Sequence, residues 1–466
     1  MADTKDPDCC DTSYRVVQPV EGVLSSAGFA GLEGMHFIFD GNADYHRNAN
    51  EFLIDRALGL WDPQNRGKLI NPSPPSRKSL ETYADQLTNT LQWCEVRGSE
   101  LLNMEYSADL IGRYRKDMLE GRWSRDGVRL AISTVNGRID TATDFLTWAG
   151  DKGRRAPFVV PTVTKLIPVN AATSSVRQFK KVQAKVGKAR IKKRRIGLPG
   201  HGVIDAWRDQ IRRKPIVGET EALIAGLILE TAIRREEAAC WRNDTLPIDP
   251  KDWKLANADA PEEDKAVLVT ITFGCKGHEY GRDHGDKIGP EGIIRVPLHI
   301  ARQLHEYRAG PRNQALREAI RSGKTLADQR RIREQTVHLF LDPTTGLRYT
   351  GEDIYEFWRS VPRPKGWTVH LARDYWACHY LLKRVRQHRE LLDQALGIEA
   401  RSFAMFALRS NADEVLALEI QPQLRHSNSS TTLTYLQWLA DYLGINLNLH
   451  QQYAEDIAEQ ANGEAD

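Results

Sequence analysis

The chain has 466 residues, of which 41% are hydrophobic and 27% charged, with 65 Lys and Arg against 62 Asp and Glu. That length calls for two or three domains, and no run approaches the eighteen or so apolar residues of a membrane span. Six scattered cysteines without a Cys-x-x-Cys pair suggest neither a disulfide scaffold nor a zinc ribbon, and the polar, acidic stretch from Met1 to Tyr14 has no apolar signal core, so a soluble intracellular protein is expected.

Residues 1–75 hold a strand-like run, Met35 to Phe39, and a short apolar-periodic stretch from Phe52 to Leu60. A Pro- and Ser-rich loop from Asn71 to Ser76 closes the region. They form an N-terminal extension to which the residues themselves assign no chemistry. From Ser79, a plausible cap, Leu80, Tyr83, Leu87, Leu91 and Cys94 line one face of a helix. A second helix is expected from Ala108 to Leu119. A third carries Val128, Ile132, Val135, Ile139, Ala142, Leu146 and Ala149 at spacings of four and three. These helices make a domain over 76–156.

Between Asp151 and Asp205 there is no Asp or Glu, while Arg177, Lys180, Lys181, Lys185, Lys188, Arg190, Lys192, Lys193, Arg194 and Arg195 crowd one segment. A charge run is often only a solvated stretch. Between two folded regions it reads as a basic linker, 157–202, suited to lie along phosphates, and its prolines and glycines argue against continuous helix. A second folded region is expected over 203–445. Val267 to Phe273 and Ile293 to Ile300 are β-branched runs that read as paired strands, Pro297 placing the second at an edge. The connection from Gly274 to Gly292 is long and rich in glycine. Cys275, His278 and His284 lie there without a fourth ligand of usual spacing, so no metal site is expected. A charged helical stretch follows from Ile300 to Val337. A tail helix, 446–466, repeats Leu449, Tyr453 and Ile457 every four residues, a stripe that can fold back on its own domain.

Four motifs carry the chemistry. Thr231-Ala-Ile-Arg-Arg-Glu-Glu237 puts Arg234 at a helix junction in apolar surroundings, where a rigidly held guanidinium either pairs with Glu236 or Glu237 or forks towards an anion such as a phosphate. Lys276 ends the first strand. His370-Leu-Ala-Arg373 sets imidazole and guanidinium on one face of a helix from Thr368 to Arg384. Leu424-Arg-His426 is separated from Tyr435 by one short polar loop.

In order, Arg, Lys, His-x-x-Arg, His and Tyr resemble the catalytic set of the tyrosine recombinases, the integrase family of site-specific DNA recombinases. The likeness sets Arg234 at the first arginine of that family's Thr-Gly-Leu-Arg-x-x-Glu box, with Glu237 at its acidic position. His370 and Arg373 match the second box, His426 the histidine before the nucleophile, Tyr435 the nucleophile and Lys276 the lysine of a mobile hairpin. Lys287 competes for that last role. Three departures stand out: Ala232 for the usual glycine, Asp374 for a second histidine, and Arg425 for the glycine before His426.

The resemblance implies a fold that is mainly α with a small antiparallel β-sheet: a helical core-binding DNA domain and a mixed α/β catalytic domain closing as a C-shaped clamp. It also implies cleavage and rejoining of double-stranded DNA at specific recombination sites through a 3′-phosphotyrosine. The assembly would be a homo-oligomer, a tetramer in the synaptic complex, with accessory directionality or companion recombinase proteins as further partners. The resemblance also offers residues 1–75 as an arm or accessory region, against structural padding, and the tail helix 446–466 as docking on a neighbouring protomer, against folding back. No cofactor is expected, and no Gly-x-x-x-x-Gly-Lys-Ser/Thr loop for ATP is present. The protein would be cytoplasmic, on the nucleoid in a bacterium. Arg234, Arg373 and His426 would hold the phosphate, Lys276 or Lys287 would protonate the leaving oxygen, and His370 would serve as base for a phenol of which only about one in a thousand is ionised at pH 7. A relaxing topoisomerase or telomere resolvase, and a non-catalytic DNA-binding protein, are the alternatives.

Overall fold

The computed structural model describes residues 14–20, 22–64, 75, 77–169, 178–189, 195–275, 281–396, 412–426 and 433–442. The fold is mainly helical with small antiparallel sheets, as expected. The chain divides into two compact units, Met1–Lys193 and Arg194–Asp466. No helix among the described residues is long and apolar enough to cross a membrane.

In the first unit, strands β1 (Arg15–Val17) and β2 (Phe37–Phe39) pair antiparallel. A single turn, α1 (Val23–Ser26), and helices α2 (Arg47–Ala57) and α3 (Arg77–Val96) follow. A π-helical run, Tyr106–Tyr114, continues into α4 (Arg115–Leu119), and α5 spans Ile132–Asp151. The stripe read from the sequence is the buried face of α5: Val135, Ile139, Ala142, Leu146 and Ala149 are all at most 1% exposed. The helix starts later than expected, and Val128 lies outside it, exposed, just after the left-handed turn at Gly127. Ser79 is inside α3 rather than capping it.

The N-terminal extension belongs to this core. Met35, Ile38, Phe52, Leu53 and Trp61 are buried together with residues of α3 and α5. Indole donors tie it there: Trp148 Nε1 donates to Asp55 Oδ2 at 2.8 Å, and Trp61 Nε1 to Asp151 Oδ2 at 2.9 Å. The Asn50 amide bonds both backbone groups of Ile38, as a neighbouring strand would.

The described part of the expected linker is regular over two strands. It contains a β-hairpin, β3 (Thr162–Val169) with β4 (Gln178–Lys185), in register from Thr162 opposite Lys185 to Val169 opposite Gln178. A two-stranded ribbon has only edges, which is why Pro168 is tolerated in it. The boundary between the units falls after this hairpin, and Ile196 and Leu198 already pack on the second unit's core, so the second domain begins before residue 203.

The second unit comprises α6 (His201–Arg212), α7 (Gly218–Thr231), α8 (Arg235–Ala239), strands β5 (Ala266–Phe273), β6 (Gly281–Asp283) and β7 (Asp286–Pro297), and α9 (Leu298–Ala309). There follow α10 (Pro311–Ser322), α11 (Leu326–Gln335), α12 (Gly351–Arg359), α13 (Val369–Leu396), a π-turn Leu416–Ile420 leading into α14 (Gln421–Leu424), and α15 (Leu433–Tyr442). Trp207, Trp241, Trp358 and Trp367 are fully buried in its core. The sheet order is β5-β7-β6.

Part of the long glycine-rich connection is a hairpin. His284 and Gly285 both take positive φ, 47° and 79°, and join β6 to β7 in two residues. Pro297 ends β7 and precedes α9, so the strand stops short of Ile300. Among the described residues only β5 pairs with it there, at Ala266, and the missing N–H costs no ladder bond to β6. The tail, 446–466, lies outside the described residues.

Candidate active site

The chain leaves α7 through Ala232, whose φ of 54° is left-handed. A residue with a Cβ pays about 1 kcal/mol or more in that conformation. The turn delivers Ile233 to the core and sets Arg234 extended, at the head of α8. There the Arg234 backbone N–H donates to Glu237 Oε2 at 2.7 Å, and its Nη1 donates to Glu237 Oε1 at 2.8 Å. The ion pair weighed from the sequence is therefore made, with Glu237 and not Glu236, and it aims the guanidinium.

Its other end meets Arg373. Arg234 Nη2 donates to the Leu424 carbonyl at 3.3 Å and lies 3.4 Å from that of Arg425. Arg373 Nη2 donates to the same Leu424 carbonyl at 2.9 Å, and its Nη1 donates to the carbonyl of Ala232. These acceptors are orphans at helix ends, Ala232 closing α7 and Leu424 closing α14, where the backbone carries partial negative charge. Two like charges thus share one oxygen. Arg373, 5% exposed, is drawn down to about 9, first by burial and then by Arg234. Burial also lowers Arg234.

His426 follows directly. Its backbone N–H is fixed to the Gln421 carbonyl at 3.1 Å, while its ring Nδ1 is buried without a partner. Burial, then Arg373, Arg234 and His370, pull its pKa to about 4. The imidazole is neutral near pH 7, whereas the unfolded chain protonates it near 6.5. Its share of stability is therefore present above about 6.5 and lost as pH falls towards 4. Measured by denaturant midpoints between pH 7 and 4, His426→Gln is expected to decline less steeply on acidification than the parent; equal slopes would contradict this.

His370 lies in the first turn of α13, exposed and on the Arg373 side of the helix. The helix runs on to Leu396, past the expected end at Arg384. Tyr435 on α15 is 2% exposed, and its hydroxyl donates to Asp374 Oδ1 at 3.1 Å. The hydroxyl thus hydrogen-bonds Asp374, whereas the sequence pointed to His370 as the base. Burial, then the Asp374 carboxylate, raise the phenol's pKa above its ordinary value, and Arg373 opposes them.

Arg425, in the sequence only a departure from the family's glycine, has a partner in the site. It is left-handed, φ 51°, and its guanidinium pairs with Glu237 and lies 3.3 Å from Cys275 Sγ. Burial and then Arg234 lower it to about 10. Its aliphatic stem fills the space over Gly292 that a Cβ would take, so β7 closes onto the site only through glycine. Gln423, also unforeseen, bonds the Thr231 carbonyl at 2.8 Å and both backbone groups of Arg295, fastening α14 to α7 and β7.

Lys276 and His278 lie outside the described residues. Lys287 stands on β7, its carbonyl accepting from Gly274 N–H at 2.9 Å, across the hairpin and two residues ahead of Lys276. Among the described residues no cluster of three or more His, Cys, Asp or Glu could hold a metal ion. Of the basic segment, Lys180 and Lys181 are on β4 and Arg195 is exposed. Lys185 pairs with Asp140 and Asp144 at 3.1 and 3.6 Å, and Lys188 with Asp140 at 2.7 Å, so these two cations are already partnered. Arg177, Arg190, Lys192, Lys193 and Arg194 lie outside the described residues.

No family model matches the chain, and no curated protein does. Among solved structures it is similar to the Tn1549 transposon integrase in complex with circular intermediate DNA, at 12% identity over 83% of this chain and 94% of that one, TM-score 0.42. It is similar also to the XerH site-specific recombinase bound to a palindromic difH substrate, at 12% identity over 85% and 92%, TM-score 0.45, and to the XerA recombinase, at 13% over 88% and 98%, TM-score 0.26.

Proposed function

We propose that this chain is a site-specific tyrosine recombinase, the integrase or transposase of a mobile element, that breaks and rejoins duplex DNA through a 3′-phosphotyrosine at Tyr435. The observation that carries the reading is the convergence of Arg234 and Arg373, from distant parts of the sequence, on the Leu424 carbonyl, with the unpartnered Nδ1 of His426 two residues further on and Tyr435 within electrostatic reach of Arg373. Phosphodiester cleavage builds negative charge on the non-bridging oxygens of a pentacoordinate phosphorus. Two guanidiniums and an imidazole donor can stabilise that charge in a site shielded from water.

Such a pocket favours an anion for a second reason. Arg234 lowers the readiness of Arg373 to hold a proton, and a phosphate lying against both would offset that repulsion. Glu237 holds one guanidinium in direction without neutralising the other. Lys276 or Lys287 then protonates the 5′ oxygen as it leaves. The phosphotyrosine keeps the energy of the broken linkage, and a new 5′ hydroxyl can reseal it without ATP.

The test is incubation with a nicked duplex carrying the element's end, so that the cleaved strand diffuses away. An SDS-resistant protein-DNA adduct is expected, with peptide mapping placing the nucleotide on Tyr435. An adduct on any other residue overturns the assignment. In the same assay Arg373→Lys keeps the charge but loses the fork, and single-turnover cleavage is expected to fall about a hundred- to a thousandfold. Duplex binding, measured by mobility shift, should change far less, since most affinity comes from other phosphate contacts.

A further inference from the structure

We propose that Asp374 is a catalytic residue: its carboxylate takes the proton from the Tyr435 hydroxyl as the phenolic oxygen attacks phosphorus, and returns it when the strand is resealed. This rests on the tyrosine-nucleophile reading above and adds the identity of the base.

The hydrogen bond runs in the direction the chemistry needs. Tyr435 Oη donates to Asp374 Oδ1 at 3.1 Å, within the reach required of a general base. Both groups are shielded, at 2% and 9% exposure, so bulk water is a poor competitor for the proton. The two imidazoles of the site serve less well. His370 is exposed at the start of α13, and His426 already faces Arg373, Arg234 and His370, whose charges oppose its protonation.

The step balances. The Tyr435 O–H bond breaks and its proton joins Asp374 Oδ1. The phenolic oxygen forms its bond to phosphorus, and the bond from phosphorus to the 5′ oxygen breaks, that oxygen taking a proton from the hairpin lysine. In the reverse reaction the neutral Asp374 carboxyl protonates the departing phenolate. The transfer has a useful side effect. Asp374 favours the charged form of its chain neighbour Arg373 from one side, so discharging it as the phosphorane forms turns the full attraction of Arg373 to the phosphoryl oxygens.

The groups that bear on the phenol are Asp374, Arg373 and Cys378, all on α13, with Arg234, His370 and His426 beyond Arg373. Arg373 stays protonated across pH 6 to 8, and the Cys378 thiol, pushed up by burial, does not ionise there.

The experiment uses the full chain on a nicked duplex whose scissile linkage carries a 5′-bridging sulfur, a leaving group that needs no proton. Cleavage then reports the nucleophile side alone. Single-turnover rates from pH 6 to 8 are expected to be nearly level for the parent. Asp374→Asn should be about a hundred- to ten-thousandfold slower and should climb close to tenfold per pH unit, because the phenol must lose its proton to solvent. Asp374→Glu, which keeps the carboxylate, should recover part of the rate and the level profile. An Asn variant within threefold of the parent, or faster, with an unaltered profile overturns the proposal and makes the carboxylate a packing partner or a resting-state restraint. So does an Asn and a Glu variant equally slow with parental profiles. No adduct from the parent chain would instead remove the tyrosine-nucleophile reading itself.

Discussion

Tyr435→Phe is expected to bind the nicked duplex as the parent does and to form no SDS-resistant adduct at any time measured. The ring is retained, so its packing in the cluster with Leu424, Ala377, Cys378 and Leu381 is kept. What is lost is one oxygen and its bond to Asp374. Leaving that buried carboxylate short of a donor costs about 1–3 kcal/mol, a fall visible in thermal unfolding but too small to unfold most domains. Binding retained with adduct lost separates a chemical defect from a folding one. An adduct undiminished by the substitution would exclude Tyr435 as the nucleophile.

Glu237→Ala is expected to be the most destabilising single change at the site, by about 3–5 kcal/mol in denaturant titration, since removing one member strands buried charge. Its side chain is 0% exposed and is shared by two guanidiniums, Arg234 and Arg425, while also accepting from the Arg234 backbone. Loss therefore releases both arginines at once and uncaps α8. Cleavage should drop with stability, because Arg234 loses the bond that directs it. Glu237→Gln keeps the shape and one acceptor, so it should fall between the parent and the alanine variant. If alanine there costs less than 1 kcal/mol, the carboxylate is not the anchor of the two arginines.

The residues proposed to hold a phosphate are legible in the sequence because each sits in a local pattern: a helix junction for Arg234, a spacing of three for His370 and Arg373, a short loop between His426 and Tyr435. Those that hold them are not. Asp374, Arg425 and Gln423 act across 61, 188 and 192 residues of chain, on Tyr435, Glu237 and Thr231, and no local periodicity encodes such pairs. Two had been noticed only as departures from a familiar pattern, which marks a position without saying what its side chain touches. The positions of Ala232 and Arg425 make sense in hindsight, since both are left-handed turns where glycine is the easy choice.

The β3–β4 ribbon was hidden by its own charge. Thr162, Val163, Thr164, Ile167 and Val169 are β-formers, but lysines, a proline and nearby glycines made the segment read as a spacer. The beginning of β7 was obscured for a different reason. Asp286 to Gly292 is polar and glycine-rich, yet the two-residue turn at His284-Gly285 and the burial of Asp286 under Arg242, His338 and Arg348 make strand there.

The shared carbonyl of Leu424 has a practical consequence. Two cations leaning on one neutral oxygen repel each other, so a small oxyanion in a preparation buffer is expected to bind between them. Sulfate or phosphate should make the purified chain more heat-resistant and at the same time slow its reaction with DNA, and a stabilising salt chosen for handling would then act, in an assay, as an inhibitor.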